Sequence, residues 1–453
     1  MNAMFRSFAS FNYRVWFIGA LVSNIGSWMQ STAQSWVVLT YLTDNDAGAM
    51  GLTMALQFAP PLLLVGVTGW VVDRFDRRKL LILTQVLMGI VSVAIGVLLL
   101  TEVMTLGLMY AFAFLTGLIV AFDNPARQTF VTDVVDRELA SNAVALNAAS
   151  FNSARMIGPA AAGVLIVAIG SGWVFLMNAV TFGGMIIALS LVRTDELQPR
   201  AIASGRSRLS EGFRYVRTRP DLIVIFVIVF LMGALAMNFP IYASTMALEF
   251  GRQADGFGLL SSIIAIGSLA GALMAARRDR ARLRVVIAAA GAFAVIAFLS
   301  SLMPSYTLYA IVIVGIGFAT VTLLTTANGY VQTSTPADVR GRVMAIYMAI
   351  LMGGTPIGAP IVGWVAAEWG PRAAINVGAV GGLVACLIGL GWMLASGRVH
   401  RRKLSFSIDE TVSIPVVRPG PEQFSDEIAN TTPIPIVPDP DADPDGGAAA
   451  PLR

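Results

Sequence analysis

The feature that most constrains this chain is a train of long apolar windows. They recur twelve times, at about 14–40, 51–72, 79–100, 104–123, 142–169, 172–192, 221–247, 257–276, 284–303, 306–330, 343–367 and 373–395. Each approaches the ~20 residues that a helix needs to cross the hydrocarbon of a bilayer. Soluble domains carry about 25% charged residues. This chain carries 13% over 453 residues, with 56% hydrophobic residues and a mean hydropathy of +0.73. It cannot cover itself in water, so the expected fold is an all-α membrane protein of twelve transmembrane helices. The first window reads as a full span, not as a cleavable leader.

Several chemistries are excluded by the residues themselves. The one cysteine, Cys386, lies in an apolar run, so there is neither a disulfide framework nor a cysteine metal site. The one histidine, His400, follows the last window, which removes histidine zinc sites and histidine proton relays. Only two lysines occur, Lys79 and Lys403, and neither closes a phosphate-binding G-x-x-x-x-G-K-[ST] loop. Neither catalytic residues, nor a cofactor, nor a metal is expected. The work must draw on an ion gradient, a concentration gradient or a partner.

The basic residues alternate with the windows. With Met1 placed in the cytoplasm, inner connections hold Arg6 and Arg14, then Arg74 to Lys79, Arg137, a run from Arg193 to Arg219, Arg277 to Arg284, Arg340 and Arg342, and Arg398 to Lys403. Outer connections hold Arg252 and Arg372. That is the positive-inside pattern, with both termini cytoplasmic, and it argues against a nucleic-acid surface despite the net charge of +4. The arginine bias hints at a GC-rich bacterium, which is composition and no more; the expected location is a bacterial cytoplasmic membrane.

Two breaks in composition divide the chain. Residues 194–220 form a polar linker in which Leu209, Phe213 and Val216 share one helical face among arginines, as in a segment lying on a membrane surface. Beyond about 396 the periodicity stops; the tail holds nine prolines and nine acidic residues and is expected to be disordered. The expected bodies are an N-terminal six-helix bundle (1–193), the linker (194–220), a C-terminal six-helix bundle (221–395) and the tail (396–453).

The halves resemble each other. Asn124…Gln128-Thr129 in span four matches Asn328…Gln332-Thr333 in span ten, and Gly158-Pro159…Gly163 matches Gly358-Ala-Pro360…Gly363. AGAMGL (47–52), opening span two, matches ADGFGL (254–259), opening span eight. Three pairs in one order imply a duplication of about 200 residues, two pseudo-symmetric bundles.

Between spans two and three the chain reads Gly69-Trp-Val-Val-Asp73-Arg74-Phe-Asp76-Arg77-Arg78-Lys79. This resembles the G-x-x-x-D-R-x-G-R-[RK] loop of the major facilitator superfamily, with Asp76 at a usual glycine position. AFDNPARQTFV (121–131) and ALNAASFNSARMIGPAAAG (145–163) are similar to its transmembrane secretion effector branch, which includes enterobactin exporters and macrolide-efflux proteins. The resemblance covers roughly 10–395 and implies a gating latch of Gly69, Asp73, Arg74, Arg77, Arg78 and Asp123 that holds the outward-facing state. Physically, Gly69 permits close helix approach, Asp73 suits the positive end of a helix, and Arg77 needs a carboxylate, for which Asp123 is the nearest candidate.

Asp123, Arg127 and Arg155 are the ionisable groups closest to hydrocarbon, where unpaired charge costs ~2.5–3.5 kcal/mol or more. Asp123 can pair with Arg127 at i,i+4 or with Arg155. It serves either as a proton-coupling group or as a permanent ion pair, and its nearness to the cytoplasm favours the pair. Gly158, Pro159 and Gly163 resemble the family's antiporter motif, with alanine at two glycine positions, which implies export. Polar stripes place Asn24, Ser27, Ser31 and Gln34 on span one and Thr322, Thr325, Asn328 and Gln332 on span ten. With Asn238, flanked by methionines in span seven, these are the substrate-cavity candidates.

The expectation is a monomeric secondary active transporter, proton-coupled, exporting hydrophobic or amphipathic small molecules such as drugs or siderophores by alternating access, with H+, the cargo and lipid as its partners. Metabolite uptake by the same fold is the first rival. A membrane-embedded enzyme lacks the residues for its chemistry. A scaffold acting through the acidic tail is the third alternative.

Overall fold

The computed structural model describes residues 3–198, 209–278 and 280–396. The helices are α1 (Phe11–Trp36), α2 (Ala47–Leu63), α3 (Val65–Arg74), α4 (Arg77–Leu100), α5 (Leu106–Asp133), α6 (Ala140–Ile169), α7 (Ser171–Leu191), α8 (Leu209–Arg217), α9 (Pro220–Leu231), α10 (Phe239–Glu249), α11 (Ala254–Ala276), α12 (Leu283–Ser301), α13 (Tyr306–Ser334), α14 (Ala337–Trp369) and α15 (Pro371–Ala395). The Pro- and Asp-rich tail and linker residues 199–208 lie outside the described residues.

Ten segments among the described residues are long and apolar enough to cross a membrane. The bent pair α2 and α3 adds an eleventh if taken as one span. The remaining expected span, α1, is 26 residues long, but its polar residues lower its hydropathy. Four of them, Ser23, Gln30, Thr32 and Gln34, are buried inside the protein. The chain is a multi-pass, all-helical membrane protein.

Helix starts follow short polar signals. Thr105 and Ser305 each accept a hydrogen bond from the backbone three residues on, opening α5 and α13. Asp76, the residue at the glycine position of the loop motif, does the same for α4 by accepting from the Lys79 amide at 3.0 Å. Gly170 and Gly370 take positive φ (89° and 86°), closing the α6–α7 and α14–α15 hairpins at sites 200 residues apart.

The repeat seen in the sequence is also a set of contacts. α6 packs on α11, and α2 packs on α14, so each half lends one helix to each seam. A Cβ on Gly163 would lie 2.6 Å from the Ala254 carbonyl oxygen, and a Cβ on Gly258 would run into the Pro159 carbonyl. In the other seam Gly363 meets Ala47 and Gly51 meets Ala359 in the same way. Positions 163 and 363, and 159 and 359, differ by 200; 254 and 47, and 258 and 51, differ by 207. Each Gly-Pro motif thus packs on the span-opening motif of the other half, and the two seams are related by a pseudo-twofold axis.

These seams close the end remote from the arginine loops. There Trp36 of α1 also stacks on Phe257 of α11, with ring centroids 6.1 Å apart and planes 19° off parallel. Towards the arginine loops the halves part. Pro60 and Pro61 end the α2 ladder, and α3 turns away by 57°. α3 then lies against α2 and α5, and its Trp70 is 58% exposed. None of the six ion pairs among the described residues joins one six-helix bundle to the other.

The linker helix α8 seats on α14 and α9. Val216 is buried there while Phe213 stays exposed, and Glu211 pairs with Arg342 at 2.5 Å.

Because each seam brings backbone against backbone, Gly163→Val and its counterpart Gly363→Val are each expected to destabilise the protein by about 1–3 kcal/mol. Thermal unfolding in detergent checks this. Unchanged melting for both would show that the seams tolerate side chains.

Candidate functional site

The N-terminal helices enclose two polar rungs. In the rung nearer the arginine end, Asp123 of α5 is 5% exposed and gathers three donors. Thr84 Oγ1 and Gln85 Nε2 of α4 donate to Oδ1 at 2.6 and 2.7 Å, and Arg127 Nε donates to Oδ2 at 2.5 Å. Arg127 Nη2 also donates to Gln85 Oε1 at 2.9 Å and to Ser23 Oγ of α1 at 3.1 Å. In the second rung Gln30 Oε1 of α1 lies 2.6 Å from both Ser92 Oγ of α4 and Asn178 Nδ2 of α7. Low dielectric strengthens such bonds and makes an unmet group costly, so the rungs hold α1, α4, α5 and α7 together.

Sequence reasoning missed Gln30, Thr84, Gln85, Ser92 and Asn178. A spacing could have found most of them. Ser23 and Gln30 on α1, and Gln85 and Ser92 on α4, are each seven residues apart, two turns on one face.

The expected latch takes a different form here. Arg77 does not reach Asp123. It grips Asp133 instead, with Nη1 2.8 and 2.9 Å from the two carboxylate oxygens. Asp123 lies ten residues further along α5, about 15 Å deeper at 1.5 Å per residue. Arg78 donates to the carbonyls of Leu189 and Ser190 at 2.6 and 3.0 Å, tying the loop to α7. Arg74 stands over Trp70 at 5.8 Å. Asp73 is exposed and has no partner among the described residues, and nothing lies within 4 Å of a Cβ on Gly69. The close approach expected of Gly69 and the helix end expected for Asp73 are absent because α3 has swung away from α14.

The cavity candidates do not form one cluster. Asn24, Ser27 and Ser31 are half-buried along one strip of α1. Gln34 is buried beyond them and donates to Gln57 Oε1 at 3.2 Å. Asn238 is fully buried at the break between the π-helical turn Met232–Ala236 and α10, donating to the Ala234 carbonyl at 2.6 Å. Asn328 and Gln332 bond each other at 2.6 Å near the arginine end of α13. Thr322 is buried and Thr325 exposed.

α6 carries the antiporter-like residues and Arg155. A Cβ on Gly158 would lie 2.5 Å from Trp28 Cβ of α1, while Pro159 and Gly163 meet α11. Arg155 makes no ion pair with Asp123. Its guanidinium lies 5.8 Å from the Trp28 ring centroid, and Phe151 touches the same ring edge-on at 5.9 Å.

Residues 3–411 match the transmembrane secretion effector family. The chain belongs to that family of major facilitator transporters. It is a transporter and not an enzyme. Among its relatives are the enterobactin exporter EntS of Salmonella choleraesuis, 24% identical over 78% of this chain and 84% of that protein, and the multidrug efflux pump Tap of Mycolicibacterium fortuitum, 26% identical over 76% and 86%. The staphyloferrin A transporter of Staphylococcus aureus is 24% identical over 58% of this chain and 66% of its own length. The fold is similar to that of a D-xylose-proton symporter, with a TM-score of 0.67, 13% identity, and 83% of this chain and 96% of that chain covered. A bacterial homologue of the lysosomal transporter Spinster, crystallised inward-facing and unoccupied, gives 0.64 at 14% identity, with 85% and 97% covered.

If the Asp123 rung braces the half, Asp123→Ala should cost about 3–5 kcal/mol, because Arg127 is left buried without its carboxylate. Pairing it with Arg127→Leu should recover part of that loss. Thermal unfolding of single and double variants in detergent measures the coupling, and strictly additive losses would show that the two residues do not act as a pair.

Proposed function

We propose that this transporter is a secondary active exporter that loads hydrophobic or amphipathic small molecules from its arginine-lined end and releases them at the other. The observation that carries this reading is the closed double seam at one end opposite parted helices at the other, the geometry of a carrier caught in one of two packings. Two relatives support the direction, being named as an enterobactin exporter and a multidrug efflux pump. The arginine distribution supports a bacterial cytoplasmic membrane with both termini inside, so the parted end faces the cytoplasm.

The moving bodies on this reading are residues 1–193 and 221–395, joined by 194–220. The chain acts as a monomer and draws on a proton gradient, since no lysine forms a nucleotide-binding loop. The loop 69–79 is the latch of the other state. When the inner ends close, straightening at Pro60-Pro61 brings Gly69 and Asp73 against the second half. The Asp123–Arg127 pair stays fixed as a structural brace.

Everted membrane vesicles containing the protein should accumulate a fluorescent efflux dye when a proton gradient is imposed, and lose it when a protonophore is added. Accumulation that ignores the protonophore would defeat proton coupling. Accumulation in the opposite sense would favour uptake.

A further inference from the structure

Charge does not balance inside this membrane protein. In the interior of the spans the described residues place one carboxylate, Asp123, and two guanidiniums, Arg127 and Arg155. Asp123 accepts from Arg127 at Oδ2 and from Thr84 and Gln85 at Oδ1, and makes no bond to Arg155. Arg155 lies midway along the 30-residue α6, roughly 22 Å from either end at 1.5 Å per residue. No hydrogen bond or ion pair satisfies it among the described residues; it has the face of Trp28.

Its direction follows from its neighbours on α6. Gly158 fixes one face against α1 at Ile25–Met29. Pro159 and Gly163 fix another against α11, where Ser262 Oγ also donates to the Met156 carbonyl at 2.7 Å. Ile157 and Val164, both exposed, mark the outer side. At 100° per residue Arg155 falls between the α1 and α11 faces, so it points inward, beside the half-buried strip of Asn24, Ser27 and Ser31.

We propose that Arg155, backed by Trp28, is the docking cation of the transport cavity, and that the cargo it takes is a carboxylate-bearing organic anion. In the present packing water entering from the arginine end can solvate the guanidinium. When the halves rock shut that water leaves, and an uncompensated cation at this depth is costly. A bound carboxylate matches the guanidinium fork with two charge-assisted hydrogen bonds and cancels the charge. The loaded carrier can therefore cross the closed intermediate more easily than the empty one, which links cargo to the swing. This deepens the export reading by naming the substrate class.

The test compares two dyes of one ring system, anionic carboxyfluorescein and cationic rhodamine 6G, by fluorescence polarisation on the purified full chain in detergent. The wild type should bind carboxyfluorescein about tenfold tighter or more. Arg155→Gln should lose about tenfold or more of that affinity while binding rhodamine 6G no more weakly. Arg155→Lys, which keeps the charge without the fork, should fall between, and melting curves show that each variant is folded. The proposal is overturned by an absence of preference or of carboxyfluorescein binding in the wild type, by an unchanged affinity in Arg155→Gln, or by equal loss for both dyes. Transport separates the two readings. A wild type that binds carboxyfluorescein selectively but does not move it under a gradient keeps the anion site and refutes export.

Discussion

Backbone touching backbone is the contact on which this architecture rests. Dispersion falls off within an ångström or so of the optimal distance, and helices approach this closely only where side chains are removed. Gly163 and Gly258 in one seam, and Gly363 and Gly51 in the other, supply the openings. A pair of bundles joined this way at one end and kinked apart by Pro60-Pro61 at the other has a ready axis about which to rock. The transport cycle then needs no catalytic group, only two packings of similar free energy between which cargo and ions choose.

The two halves are repeats but are not braced alike. α1, α4, α5 and α7 are tied by side-chain rungs running through Ser23, Gln30, Gln85, Ser92, Asp123, Arg127 and Asn178. In the second half the corresponding interior is filled by large rings, with Tyr242, Phe293 and Tyr309 lining a small apolar pocket. Hydrogen bonds specify one arrangement, while apolar packing admits small slides. Both halves hold an interrupted span: α2 and α3 bend by 57° in the first, and α9 and α10 are separated at Asn238 in the second.

Architecture was largely legible in the sequence, because lipid leaves helices few alternatives and the repeat was written in glycine and proline. The windows, the duplicated Gly-Pro helices and the Asp123–Arg127 spacing all depend on local pattern. What escaped was set by depth and by conformation. Arg77 pairs with Asp133 instead of Asp123 because ten residues of helix separate the two carboxylates. Gly69 and Asp73 stand free because α3 turns away by 57° after Pro60-Pro61. The buried glutamines and Asn178 were passed over because a single amide in an apolar window carries no period of its own. The seven-residue echo between α1 and α4 reveals the glutamines but not Asn178.

The closed seam has one more consequence. It is made of glycine, alanine and proline backbone and aromatic faces, and among the described residues no ion pair crosses it. Screening by dissolved ions acts on charges and leaves such contacts untouched. In the orientation proposed above, the outer end is sealed by forces indifferent to the salinity of the medium it meets.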